Sequence, residues 1–492
     1  MSEVFAWALS VYNNPWFTTS VWVVDWIIRI VAVLVVPPGR KPTAAMAWLM
    51  AIFLVPIPGA FFFILIGNPR LPRQKRRMQA QINEYLREAN DVLERGGLRP
   101  NEPTWFTSLV HMNRELGALP ISGDNGVRLI SDYQQSLDEM ASAVRSAKHY
   151  AHIEFYIFKS DVETEGFFSA MEEASARGVR VRVILDHWAN LAKPLHRKTL
   201  RRLDRMGAEW HFAMPLMPFK GKMQRPDLRN HRKLLIVDGE IAFLGSQNLT
   251  SRSYNVPANI KRGLKWVDAM VRLDGPVVSS VDAVFLSDWY GETETVPEID
   301  LQEMSSGSGD LDCQVVPSGP GFDTENNLRM FLALIYAAER RVVMVSPYFV
   351  PNEAMLSAVS IATSRGVDVE LFVSEVGDQA MVYHAQRSYY QTLLEAGVRI
   401  WLYKAPYILH TKSLSIDDEV AVIGSSNMDE RSFGLNFEVS LLVRGEEFVN
   451  ELRGVEDAYR DNSRELTLAE WRKQPLRSTV LDNLARLTSA LQ

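Results

Sequence analysis

The sequence predicts an α/β protein: an N-terminal transmembrane helical hairpin, then two halves related by a pseudo-twofold axis with the functional site between them. Three observations carry this. Two long apolar runs open the chain, short β-branched runs alternate with helical stretches from about Val127 onward, and one motif occurs twice. The motif is H-x-K, four residues, D, six residues, G-S-x-N. Its first copy is His231, Lys233, Asp238, Gly245, Ser246 and Asn248; its second is His410, Lys412, Asp417, Gly424, Ser425 and Asn427. A single copy carries little weight. Two with identical internal spacing imply a duplicated half-site.

With 492 residues the chain is too long for one ordinary domain. A hydrophobic fraction of 47% and a charged fraction of 23% describe a folded protein with large cores. The net charge of −6 argues against a dedicated nucleic-acid binder. Cys313 is the sole cysteine, which excludes intramolecular disulfides and argues against a cysteine-based metal site.

Trp16 to Val36 is long enough, at about 31 Å if helical, to span a bilayer core. Asp25 and Arg29 interrupt it at a spacing that lets them pair within the helix. The turn Pro37 to Pro42 ends it, and Ala44 to Ile66 follows without a charge. Pro56, Pro58 and Gly59 predict a kink in this second span. A cleaved signal peptide is disfavoured, because Glu3 stands where basic residues would be and a second span follows. Arg70, Arg73, Lys75, Arg76 and Arg77 follow the second span, against Arg40 and Lys41 between the spans. By the positive-inside rule the chain is a multi-pass protein of the cell membrane whose large C-terminal part is cytoplasmic. The basic cluster also suits anionic lipid headgroups.

The domain reading is therefore an anchor at 1–75, a helical connector at 76–120 containing the charged stretch Met78 to Leu98, a first half at 121–296, a linker at 297–310 and a second half at 311–492. Ile153 to Phe158, Val179 to Leu185, Leu234 to Val237 and Ile241 to Leu244 read as strands, and Phe167 to Arg177 as a helix stopped by Gly178. The repeat reaches beyond the motifs. Ser169-Ala170, Ala174, Arg177-Gly178-Val179 and Val181 recur 188 residues later as Ser357-Ala358, Ala362, Arg365-Gly366-Val367 and Val369. Tyr156 and Tyr348, and Gly207 and Gly397, are further counterparts. The first half carries an extra loop, Pro215 to Leu228. Its Met214, Leu216, Met217 and Phe219 beside Lys220, Lys222 and Arg225 suit either a lip that dips into a bilayer or a loop folded back over the first half. Ser305-Ser306-Gly307-Ser308-Gly309 marks the linker as flexible by composition.

Two residues apart on a predicted strand, His231 and Lys233 project from one face, as do His410 and Lys412. A phosphodiester needs a nucleophile, cations and hydrogen-bond donors for its non-bridging oxygens, and an acid for the leaving alkoxide. One half supplies one imidazole; two halves supply two imidazoles, two ammonium groups and two amides. Glu438, 28 residues after His410, reads as the carboxylate that orients that imidazole, and Asp268, 37 after His231, either as the partner of the first or as a member of a surface salt bridge. Asp238 and Asp417 complete the motif, but they begin turns and read as structural. His149 and His152 are the nearest approach to a ligand pair among the remaining histidines and read as ordinary residues. No metal and no cofactor are expected.

These residues resemble the phospholipase D superfamily, and more closely the bacterial cardiolipin synthases. The closer likeness rests on Arg229 to Lys233, Ser318-Gly319-Pro320, Ser346 to Pro351, and Asn427 to Phe433 running to Asn436-Phe437-Glu438. Lys265 to Asp268, Phe285 to Trp289, the paired N-terminal spans and the closing Leu484 to Leu487 add to it. Gly245-Ser246 stands where that family commonly has two glycines. The resemblance implies phosphatidyl transfer between two phosphatidylglycerols through a phosphohistidine, with other anionic phospholipids as further partners. It assigns attack to His231 and proton transfer to His410. Lys233, Lys412, Asn248 and Asn427 would hold the phosphoryl oxygens, with Ser246, Ser425, Glu438 and Asp268 binding phosphate or orienting the histidines. The same motifs would serve a hydrolytic phospholipase D, another phosphatidyltransferase or, less readily, a nuclease. A non-enzymatic lipid-binding scaffold would be expected to carry degraded motifs, and these are intact.

Overall fold

A computed structural model describes residues 15–40, 42–67, 78, 102–191, 194–217, 222–223, 225–295, 307, 309–322 and 325–487. The connector at 79–101, the centre of the extra loop with Phe219 and Lys220, and most of the 297–310 linker lie outside the described residues. The chain divides into two compact units, one holding the N-terminal helices with Arg225–Asp227 and the other the remainder.

In the first unit, helix α1 (Pro15–Val35) is the one helix among the described residues long and apolar enough to cross a membrane. Asp25 and Arg29 pair along it at 2.9 Å. The second apolar run is not one span. It divides into α2 (Pro42–Leu54) and α3 (Pro56–Ile66) at Val55, because Pro56 has no N–H to continue the ladder. Gly59 then lies so close to α2 that a Cβ on it would meet the Ala51 carbonyl oxygen at 2.8 Å. Ala32, Val36, Ala45 and Ile52 form the small core of the three helices.

The second unit is built on one mixed sheet. Its strands and the short ribbons beside it are, in the first part, β1 (Ser122–Ile130), β2 (Tyr150–Phe155), β3 (Arg180–Asp186), β4 (Glu209–Ala213), β5 (Leu216–Met217), β6 (Lys222–Met223), β7 (Arg229–Asn230), β8 (Lys233–Val237), β9 (Ile241–Gly245), β10 (Lys265–Val267) and β11 (Met270–Asp274). The later part gives β12 (Leu311–Ser318), β13 (Arg341–Val345), β14 (Phe349–Val350), β15 (Asp368–Ser374), β16 (Arg399–Tyr403), β17 (Tyr407–Leu409), β18 (Ser413–Ile416), β19 (Val420–Gly424), β20 (Met428–Asp429), β21 (Asn436–Arg444) and β22 (Ser463–Leu466). The order across the sheet is β22-β16-β15-β13-β18-β19-β21-β12-β1-β11-β9-β8-β2-β3-β4, with β7 on β21. Inward from β4 on one side, and from β16 inside the antiparallel edge strand β22 on the other, a parallel trio (β4-β3-β2, β16-β15-β13) meets an antiparallel trio (β8-β9-β11, β18-β19-β21). A hydrophobic cluster runs continuously through the middle, from Leu234, Leu244 and Val271 to Val315, Ile423 and Leu441. Burial of each such side chain contributes about 1.5–3 kcal/mol.

The repeated Arg-Gly-Val has a local cause. Helices Glu165–Ala176 and Glu353–Ser364 each end at an arginine followed by a glycine in the left-handed region, Gly178 (φ 90) and Gly366 (φ 86). In both, the valine N–H turns back to the helix, Val179 to the Ala174 carbonyl and Val367 to the Ala362 carbonyl, each at 3.1 Å. The arginines close the neighbouring helix ends: Arg177 donates to the Arg145 and Ala147 carbonyls, Arg365 to those of Tyr336 and Ala338.

The motif aspartates sit at the far ends of the motif strands. Asp238 accepts from the N–H groups of Lys148, His149 and Tyr150 at 2.7–2.9 Å, and Asp417 from those of Glu339, Arg340 and Arg341 at 2.7–3.0 Å. Each occupies the left-handed region, at φ 53 and 48. Replacing Asp417 with alanine removes three charge-assisted hydrogen bonds and leaves a Cβ residue at positive φ. A loss of about 2–4 kcal/mol is expected, read as a lowered thermal midpoint. An unchanged midpoint would contradict this role.

Candidate active site

The site begins with two short parallel pairings. On one side β7 runs beside β21, pairing Arg229 with Asn436 and Asn230 with Phe437. One residue further, the His231 N–H donates to the Phe437 carbonyl at 2.9 Å, and its Nδ1 faces Glu438 Oε2 at 2.9 Å. On the other, β10 runs beside β17, pairing Trp266 with Ile408 and Val267 with Leu409. The His410 N–H donates to the Val267 carbonyl at 2.7 Å, and its Nδ1 faces Asp268 Oδ1 at 2.6 Å.

The pairing is therefore crossed, and the sequence reading of it is corrected. Glu438 serves His231, not His410; Asp268 serves His410, not His231. Proximity along the chain favours each acid for the histidine of its own half. The register of two strands only two or three residues long decides otherwise, setting each histidine beside the acid of the other half. Nor do both members of H-x-K lie on a strand: His231 falls in the break between β7 and β8, and His410 in the gap between β17 and β18. The lysine side chains fold back. Lys233 Nζ donates to the His231 carbonyl, and Lys412 Nζ to the His410 carbonyl at 2.6 Å.

The Gly-Ser of each motif fixes the carboxylates. Ser246 Oγ donates to Asp268 at 2.6 Å and accepts from the Ala269 N–H at 3.1 Å; Ser425 Oγ donates to Glu438 at 2.6 Å and accepts from the Val439 N–H at 3.0 Å. The preceding glycine permits the approach, since a Cβ at Gly245 would lie 2.4 Å from the Ala269 carbonyl oxygen and one at Gly424 2.3 Å from that of Val439. Each serine is thus a partner of an acid. The asparagines differ. Asn248 accepts from the Ile157 N–H at 3.1 Å and donates to Tyr254 Oη at 2.9 Å, whereas the buried Oδ1 of Asn427 has no hydrogen-bond partner.

Electrostatics separate the two pairs. Burial, then the charges of Lys233, Lys412 and His410, push His231 well below the usual imidazole range. Burial also lowers His410, and the neighbouring Lys412 adds to this against the pull of Asp268. Burial would raise Asp268, but the charge and hydrogen bond of His410, with Lys412 and Ser246, hold it below the usual carboxylate value. Burial raises Glu438 to about 7 against the pull of Lys233 and Ser425. His410 therefore faces a firmly ionised partner, and His231 one that titrates near neutrality. Burial lowers Lys233 well below the ordinary ammonium range, and Lys412 to about 8.

Several residues at the site carried no assignment from sequence. Tyr156 sets its ring edge-on to His231 at 4.7 Å between centroids and lies 5.4 Å from Lys233 Nζ. Its repeat partner Tyr348 was the available signal. Tyr254 stands edge-on to His410 at 6.3 Å, and the repeat places Phe433 at its counterpart, so nothing in the motif marked it. Asp186 holds Arg229 at 3.3 Å and the Asn230 N–H at 3.1 Å, tying β3 to the histidine strand. His152 is buried against Asp282 at 2.7 Å, on β2 opposite Ile236 of the first motif strand.

A duplicated H-x-K arrangement on one mixed α/β sheet defines a phospholipase D-like protein. The family model described as cardiolipin synthase, PLD-like domain, matches residues 140–289 and 331–455. The chain belongs to the cardiolipin synthase family of phospholipase D-like phosphatidyltransferases. Cardiolipin synthase A of Proteus mirabilis (strain HI4320) is 30% identical over 466 residues, covering 92% of this chain and 94% of that protein. Cardiolipin synthase A of Serratia proteamaculans (strain 568) is 30% identical over 492 residues, covering 96% and 100%. Among solved structures, phosphatidylserine synthase from Haemophilus influenzae Rd KW20 matches with a TM-score of 0.59 at 13% identity, over 78% of this chain and 100% of that one, a likeness of fold.

Proposed function

We propose that the chain joins two phosphatidylglycerols into cardiolipin and glycerol by two successive in-line displacements. The observation that carries the reading is the pair of crossed imidazole–carboxylate contacts around two buried lysines. With Nδ1–H of each histidine given to its carboxylate, Nε2 is the reacting nitrogen. His231 Nε2 attacks phosphorus, the bond to the glycerol oxygen breaks, and His410 gives that oxygen its proton. The second phosphatidylglycerol then loses a hydroxyl proton to His410, its oxygen attacks phosphorus, and the P–N bond to His231 breaks. One phosphodiester replaces another, so atoms and charge balance without a nucleotide.

Electrostatics favour this division of labour. His231, neutral at working pH, has its lone pair available, while the ionised Asp268 steadies the imidazolium that His410 forms. Lys233, Lys412 and Asn427 hold the phosphoryl oxygens, with Asn248 packed behind through Tyr254. The two sheet trios act as pseudo-twofold halves, 121–296 and 311–492, around a shared site. In the anchor, a second passage by way of α2 and α3 completes the hairpin and leaves the body on the cytoplasmic side. Phosphatidylglycerol and other anionic phospholipids are the partners this arrangement serves.

The test is product analysis with labelled phosphatidylglycerol vesicles: cardiolipin and glycerol in equal amounts are expected, and phosphatidic acid alone would overturn the reading. A pH profile follows from Lys412. Because burial lowers it to about 8, its charge is lost as pH rises through that value, so kcat/KM falls on an alkaline limb near 8. Bound phosphate restores the ammonium, so the limb in kcat lies higher. A kcat/KM flat from pH 7 to pH 10 would contradict it.

A further inference from the structure

Near the C-terminus one helix is amphipathic in the inverted sense. The face of helix Leu476–Arg486 that meets the protein carries Asp482, which is buried and bonded to His384 Nδ1 at 2.6 Å and to Arg387 Nε at 3.3 Å. Ser478 Oγ joins the clamp, accepting from Arg387 at 3.0 Å. The opposite face presents Leu476, Val480, Leu484 and Leu487, between 48% and 82% exposed. Their spacing of four, four and three places them on a single stripe, with the exposed Leu481 beside it. In water a helix turns its leucines inward and its aspartate outward; the clamp holds this one the other way round.

We infer that this stripe docks on the surface of a phospholipid bilayer. Charge selects the occupant. Arg472, Lys473, Arg477 and Arg486 are all exposed around the stripe, and the one acidic residue of the helix is Asp482, turned inward. Arg472 also pairs with Glu395 at 3.3 Å, and Arg486 lies over the Tyr389 ring. A leucine stripe bordered by basic residues, on a chain of net charge −6, matches an anionic interface. A second copy offering the same basic border across a twofold axis would be repelled. The docked helix also bears on the site. Helix Ala380–Arg387, which supplies His384 and Arg387 to the clamp, lines with Tyr383 and Gln386 a crevice shared with Tyr348, Asp378 and Ile408, two residues before His410. The helix that holds the stripe outward therefore also lines the crevice beside the His410 strand.

The inference rests on the reading of the substrate as a membrane lipid, so its test has a readout apart from turnover. The full chain is reconstituted in vesicles of phosphatidylglycerol and phosphatidylcholine with a fluorophore on V480C, and on Q391C as an exposed control; Cys313 is buried and stays unlabelled. At V480C the emission is expected to shift to the blue and to fall at least twofold with spin-labelled lipid, with Q391C unaffected. Lipid quenching no greater than at Q391C, or oxidation of the unlabelled V480C chain into disulfide-linked dimers in the same vesicles, would overturn the inference. The L476S/L484S/L487S variant alters exposed positions alone, so its thermal midpoint is expected to hold. Its activity on vesicles should fall about fivefold, with that on a soluble short-chain phosphatidylglycerol unchanged; equal losses on both would also overturn it. If the unsubstituted chain made no cardiolipin, the proposed function would fail while quenching still decided the helix.

Discussion

His231→Ala and His410→Ala are each expected to lower cardiolipin formation by about 10⁴-fold or more, with protein yield and thermal midpoint near those of the parent chain. In the proposed route each imidazole supplies a step that the other, held by its own carboxylate, does not. The two losses differ in kind. A substrate with a good leaving group, such as phosphatidyl-p-nitrophenol, needs no proton for departure, so His410→Ala retains the first displacement on it and His231→Ala does not. Equal loss of nitrophenolate release in both variants would contradict the division of roles.

Glu438→Gln and Asp268→Asn are expected to reduce turnover by about 10²- to 10⁴-fold, since an amide accepts a weaker hydrogen bond and favours the wrong imidazole tautomer. The crossed contacts decide which step suffers. Glu438 touches His231 at 2.9 Å, so Glu438→Gln slows nitrophenolate release. Asp268 touches His410 at 2.6 Å, so Asp268→Asn spares that release and slows transfer to the acceptor. Had each acid served the histidine nearer in sequence, the two variants would exchange phenotypes. Pre-steady-state kinetics on both therefore reads the pairing directly.

Much of this candidate site is legible in the sequence. Spacing alone brought forward His231, Lys233, His410, Lys412 and the Gly-Ser-x-Asn segments, because a duplicated pattern repeats the chemistry it serves. The glycines at 178 and 366 could be placed after helices for the same reason. The pairing of acids with bases could not. It depends on β7, β10 and β17, strands of two or three residues whose partners lie far away in sequence, and so short a strand carries no periodicity to identify its neighbour. Spacing leaves the motif serines as phosphate-binding or orienting without a choice between them; only the register that brings Asp268 and Glu438 alongside shows each as a partner of an acid. In the anchor, composition identified two apolar runs, and Pro56 with Gly59 foretold the bend. The close packing of Gly59 on Ala51 that follows the break at Pro56 is a tertiary fact. The helix Leu476–Arg486 illustrates the same limit: the sequence reading marks only Leu484 to Leu487 there, and the clamp on Asp482 is what shows its apolar stripe facing outward.

The account turns on a covalent phosphatidyl–His231 intermediate, and the His410→Ala variant offers the means to trap it. Mixed with phosphatidyl-p-nitrophenol, this variant is predicted to release one nitrophenolate per chain in a burst and then stall, lacking the base that activates an acceptor hydroxyl. Mass spectrometry of its peptides is predicted to find the phosphatidyl adduct on His231. A burst with the adduct on another residue, or no burst in His410→Ala together with one in His231→Ala, would contradict the account.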